Sequence, residues 1–333
     1  MKHTQNTPSL WRIATALFVL GSIVYTSAAG AKSGAKKSAN NGTDEPDSTD
    51  YETDSTDEYA DESVLPEYRR VYSENLIIPS GPTFGLIWPV IYSGTAALAI
   101  HQALPGQVAN PRYQRAMPWL AASYVMNTLF GYYFNQRDRQ SIILSNVVTD
   151  LDLPAALGLH QALEIGETAV TGPERYLRWP ISLYAGWLTV ATVVGTPNIF
   201  LASDTWDYDA DRDEPIAAGL LGATAGLGYA VSRRLNDPVY LIPFVVGFAG
   251  IVARQRRNHP LVAGVAGAMA VGLSAVLAYW LPQGNYRKLH PAIEPFDIAA
   301  NAEDVLGQTP SDSEEDQIGF EDEWPVDEKA FSV

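Results

Sequence analysis

A chain of 333 residues with 47% hydrophobic side chains is long enough for a large apolar core, yet its mean hydropathy is only −0.06. A net charge of −16 leaves no clustered basic face for a phosphate backbone, which excludes nucleic acid as a partner. The absence of cysteine excludes disulfides, thiolate catalysis and Cys-type zinc sites.

The mean conceals strong segregation. Of 38 acidic residues, 30 fall in residues 40–67, 203–214 and 294–328, so the rest of the chain is strongly apolar. That division predicts an all-α, polytopic membrane bundle of about eight transmembrane helices with disordered acidic segments. The acid-loaded segments suit a high-salt medium, where screening weakens their self-repulsion.

Residues 1–9 form a polar tail. Residues 10–31 are apolar apart from Arg12 and end in Ser27-Ala28-Ala29-Gly30-Ala31. Composition alone fits either a first membrane helix or a signal peptide with an Ala-x-Ala site. Residues 32–74 read as an acidic, disordered loop, since dense like charge with few apolar residues cannot build a core.

The second span opens with Pro79-Ser80-Gly81-Pro82 and runs through residue 103 without Lys, Arg, Asp or Glu, long enough to cross a bilayer. Phe84, Trp88 and Tyr92 recur every four residues and make one aromatic stripe on a helix. The stripe is either an interface or packing feature, or one wall of an apolar ligand pocket. Residues 116–134 and 141–163 read as the third and fourth spans, and residues 178–201 as the fifth, kinked or ended near Pro197. An acidic loop covers residues 202–214, three more spans lie within residues 215–281, and residues 282–333 form an acidic tail expected to be unstructured. In the sixth span Gly222 and Gly226 stand at GxxxG spacing, read mainly as bundle packing and alternatively as a dimer face. Eight spans put both termini on one side, and the short-loop Arg and Lys lean toward that side being cytoplasmic.

Three stretches carry a family resemblance, in order: PSGPTFGLIWPVIY at residues 79–92, YVMNTLFGYYF at 124–134 and PISLYAGWLTVATVVG at 180–195. They resemble the second, third and fifth helices of the tryptophan-rich sensory protein and translocator protein (TspO/MBR) family. The resemblance covers roughly residues 10–200 and favours a retained first helix. The remaining spans have the length of additions found in longer bacterial members. It implies a ligand pocket lined by Pro79, Trp88, Tyr92, Tyr124, Asn127, Phe130, Trp187 and Ala191, with a tetrapyrrole as one candidate ligand. It also allows a homodimer. Three departures stand out: Gly85-Leu86 where some members have Pro-Pro, Phe130 where many have Trp, and Gly195 where the fifth helix often has Asn.

Asp150 and Asp152 lie inside the fourth span, and two residues apart they cannot share a helix face. A carboxylate in a bilayer faces a cavity or a partner. Asp150 follows by one turn Asn146, which occupies a position where the family often has an acidic residue, so Asp150 is expected to border the pocket. The alternative is that the aspartates cap a helix broken near Pro154. Asp207, Asp209 and Asp211 imitate the start of an EF-hand loop but lack its later glycine and glutamate, so no metal and no obligatory cofactor are expected.

The first functional expectation is a membrane receptor or sensor binding a hydrophobic ligand, with bilayer lipid as the surrounding partner. The alternatives are a proton-coupled transporter using Asp150 or Asp152, and a porphyrin-degrading membrane enzyme.

Overall fold

In the computed structural model, residues 7–40 and 66–291 are described, with side chains for residues 10–28 and 66–291. The expectations for residues 41–65 and for most of the acidic tail lie outside the described residues.

The described chain is all helical apart from one two-residue parallel pairing, Thr168–Ala169 with His290–Pro291. α1 spans Thr7–Asn40, nine residues beyond the end expected at residue 31. Its buried positions Arg12, Thr15, Ala16, Val19 and Ser22 fall at helical spacing on one face, which packs on α3 (Gly81–Ala103) and α4 (Pro111–Phe134). Ser22 bonds to Thr128 of α4 at 2.6 Å.

A short helix, α2 (Pro66–Glu74), occupies the end of the stretch read as a disordered loop. The acidic run hid a local apolar pattern: Tyr68, Val71 and Tyr72 are buried against Ile142 and Leu201 at the mouth of the bundle. Burial there pushes the Glu74 carboxyl up, with Arg70 opposing the shift.

α5 (Arg139–Ala162) starts at Asp138, whose carboxylate accepts from the Ser141 hydroxyl and N–H. Those bonds hold the Asp138 carboxyl below the usual carboxylate range. α5 runs unbroken through Pro154, so the aspartates do not cap a second half-helix. α6 (Gly172–Leu177) leads into α7 (Trp179–Ala202), which likewise continues past Pro197. α7 is the central post, touching α3 and α5 on one side and α9 on the other. The close α3–α7 approach depends on Gly94, where a methyl would overlap the Pro180 ring.

Three further helices follow: α8 (Ala210–Leu235), α9 (Ile242–Gln255) and α10 (Pro260–Trp280). One apolar core joins them to α3 and α7, with Trp187, Tyr240, Phe244 and Phe248 among its buried members. The seam is tied by the buried His160–Asp237 pair at 2.9 Å between α5 and the loop after α8. His160→Ala is expected to lower the melting midpoint by roughly 4–8 °C, because it leaves a buried carboxylate short of a partner, a cost of about 2 kcal/mol. Thermal unfolding followed by helical ellipticity in detergent checks this.

Gly222 and Gly226 do not serve close packing inside the described chain as expected: apart from chain neighbours and the adjoining turns of their own helix backbone, nothing lies within 4 Å of a methyl placed at either one. Asp209 caps α8, accepting from the N–H of Asp211 and of Arg212. Among the described residues no group of three or more His, Asp or Glu side chains could hold a metal ion.

Seven described helices are long and apolar enough to cross a membrane, with α6 and α7 counted as one stretch. The remaining one of the eight expected spans, the third, is α4, which is 24 residues long but less apolar. Its inward face explains this: Ser123, Tyr124 and Asn127 are polar and buried.

Candidate functional site

The aromatic stripe of α3 faces α7. The Phe84 and Trp187 rings meet edge to face at 5.4 Å, and those of Trp88 and Trp187 at 6.3 Å and 79°. Trp88 also approaches Tyr184 at 6.3 Å and Tyr92 at 4.9 Å. These separations are those of aromatic pairs in direct contact. The two tryptophans differ in burial: Trp187 is 2% exposed, whereas Trp88 is only partly buried.

A polar end closes the stripe. The Tyr92 hydroxyl and the Asn127 amide of α4 lie 3.3–3.4 Å apart. One turn along, Tyr124 reaches Thr95 of α3. The structure thus brings together Trp88, Tyr92, Asn127 and Trp187, with Tyr124 adjacent. Pro79 is buried at the start of α3, where it borders Gly250 of α9. Phe130 stacks on Phe134 at 5.2 Å, and Phe134 in turn meets Tyr68 and Tyr72, a separate aromatic group. Ala191 and Asp150 are half-buried, on α7 and α5.

The carboxylate built into the bundle is Asp152. It is 3% exposed and accepts from Ser123 Oγ at 2.6 Å and from Tyr184 Oη at 2.5 Å. Tyr184 therefore has its hydroxyl on Asp152 and its ring beside Trp88, so α5 supports the aromatic wall through it. Apolar periodicity could not single out Asp152, because the helix is apolar on most sides. A polar stripe could: Ser141, Ser145, Thr149 and Asp152 recur every three or four residues, and all are buried.

A second polar node lies below. Asn75 Nδ2 donates to Asn198 Oδ1 at 2.7 Å and to the Val194 carbonyl at 2.8 Å, and Asn198 approaches Asn146 at 3.5 Å. A methyl at Gly195 would overlap Asn146 Oδ1. Two positions unusual against the family pattern, Asn146 and Gly195, are therefore one arrangement in space: the amide fills what a larger α7 residue would occupy.

Together the helices define a multi-pass integral membrane protein with a cluster of aromatic side chains inside its bundle. The chain belongs to the TSPO-like protein family, whose family model matches residues 64–279, well over half of the sequence. The match continues through α8 and α9 and nearly to the end of α10, beyond the region where the motifs were read. No curated protein and no solved structure matches the chain.

Proposed function

We propose that the protein is a membrane receptor or sensor that takes a flat hydrophobic ligand, a tetrapyrrole being the first candidate, between α3 and α7. The observation that carries this reading is the edge-to-face pairing of a half-exposed Trp88 with a buried Trp187, next to the Tyr92–Asn127 pair. A ligand that displaces Trp88 from its neighbours gains a stacking face on each side, and the amide end orients one polar substituent. No bound cofactor is required for this role.

The test is a titration of purified, detergent-solubilised protein with protoporphyrin IX, following tryptophan quenching and the porphyrin absorption band. Trp88→Phe and Trp187→Phe are each expected to weaken saturable binding by about 5- to 10-fold, the worth of one aromatic contact of roughly 1 kcal/mol. Unchanged affinity in both folded variants would sink the pocket. Asp150→Asn is expected to weaken binding if Asp150 borders the pocket, and unchanged affinity with a normal fold removes it from the site.

Asp152 supports one second reading. A carboxylate inside the bundle, contacted by two hydroxyls, has the chemistry of a proton carrier in coupled transport. Ligand-driven proton flux in liposomes that disappears in Asp152→Asn would favour that reading over sensing alone.

A further inference from the structure

We propose that the end of the bundle formed by the start of α1, the α3–α4 turn and the α6–α7 junction binds a phosphate-type oxyanion, with Arg12 as its principal donor. Three guanidiniums, those of Arg12, Arg112 and Arg178, are buried there together. One buried carboxylate, Glu174, accompanies them. Arg112 grips it with two bonds, Nε to Oε1 at 2.7 Å and Nη2 to Oε2 at 2.9 Å. Arg178 adds a third at 3.3 Å. Asn110 joins this group to the α3–α4 turn, donating both to Glu174 Oε2 and to Gln107 Oε1 at 3.1 Å.

Arg12 also meets that turn and, among the described residues, has no carboxylate partner. It is 1% exposed. Its Nη1 donates to the carbonyl of Gln102, at the C-terminal end of α3, and to that of Gln107, in the α3–α4 turn. Its Nη2 has no partner among the described residues. Two more buried donors at this end of the bundle, Gln102 Nε2 and Arg178 Nε, also lack partners among the described residues. A buried guanidinium facing only carbonyl oxygens is incompletely neutralised, and unpaired buried donors are costly. An oxyanion with several acceptor atoms meets both deficits, and a phosphate monoanion or diester has the geometry that an arginine fork prefers.

The location points to the headgroup layer as one source of the phosphate. Exposed Trp11, Tyr176 and Trp179 ring the same end, as aromatic belts do at membrane interfaces. Leu104, Pro105 and Gly106, between the two residues whose carbonyls Arg12 contacts, are exposed.

The experiment is thermal unfolding of the full chain in neutral detergent. One arm adds inorganic phosphate against sodium chloride at equal ionic strength. The other compares nanodiscs of phosphatidylcholine with nanodiscs containing phosphatidylglycerol. The expected result is a saturable rise of roughly 2–4 °C with at least one probe. Arg12→Gln removes that rise, while Arg115→Gln, which alters only a more exposed pair with Glu164, keeps it. A rise with phosphate assigns a free-anion site, and a rise with phosphatidylglycerol alone assigns a lipid site. No rise with either probe, or an equal rise in Arg12→Gln, overturns the proposal. Should Arg12→Gln fail to fold, Gln102→Met takes its place. It deletes an unpartnered amide without removing a bond that its side chain makes, and it should reduce the anion-dependent rise.

Discussion

Replacing Asp152 with alanine is expected to destabilise the folded bundle by roughly 2–4 kcal/mol, while the same change at Asp150 costs less than about 1 kcal/mol. The asymmetry follows from what each carboxylate holds. Removing Asp152 strands two buried hydroxyls, Ser123 and Tyr184, inside the bundle. Each stranded donor costs about 1–3 kcal/mol in a soluble core, less where the unfolded chain in a membrane finds other partners. Asp150 is half-buried and anchors no comparable pair. Thermal unfolding of both variants in one detergent measures the difference. Asp152→Ala should also weaken ligand binding, because Tyr184 loses its anchor and packs beside Trp88. Equal stability of the two variants would mean that the Ser123–Asp152–Tyr184 bridge does not hold α4, α5 and α7 together.

Gly186→Ala is expected to be strongly damaging, at about 3 kcal/mol, with Gly222→Ala neutral or slightly stabilising. At Gly186 the added methyl overlaps the backbone carbonyl of Tyr240 and crowds the Pro243 ring at 3.2 Å. Neither can turn aside as a flexible side chain would, so α7 must move away from the turn that leads into α9. The two halves of the apolar core meet along that line. Gly222 has open space, so its methyl only improves helix propensity. Expression and melting midpoint of the pair, side by side, check the contrast. A large loss at Gly222 instead would show that a second copy of the chain packs on that face of α8.

Much of the fold was legible because membrane helices announce themselves by length and missing charge. The uncharged run through residue 103 is α3, and the spacing of Phe84, Trp88 and Tyr92 placed one face of it correctly toward a partner. What the sequence hid was mostly polar. α4 is less apolar than its neighbours because its interior face carries Ser123, Tyr124 and Asn127, so composition and position point in opposite directions. α2 sits at the end of an acidic run whose charge masked three buried residues. Asp152 is the more deeply buried of the two aspartates because α5 turns its Ser/Thr/Asp stripe inward, while Asp150 is half-buried. That assignment needs the partner hydroxyls on α4 and α7, which no local pattern supplies. GxxxG spacing was equally mute about direction, since it permits a close contact without saying with what.

The central claim is a ligand site between Trp88 of α3 and Trp187 of α7. Its most direct test is photoaffinity labelling with a porphyrin carrying a diazirine, followed by peptide mapping. The account predicts saturable label on α3 and α7, around Trp88 and Trp187, competed away by protoporphyrin IX. Label confined to the exposed Trp11, Trp119 and Trp179, or spread over α8–α10 without competition, would contradict it.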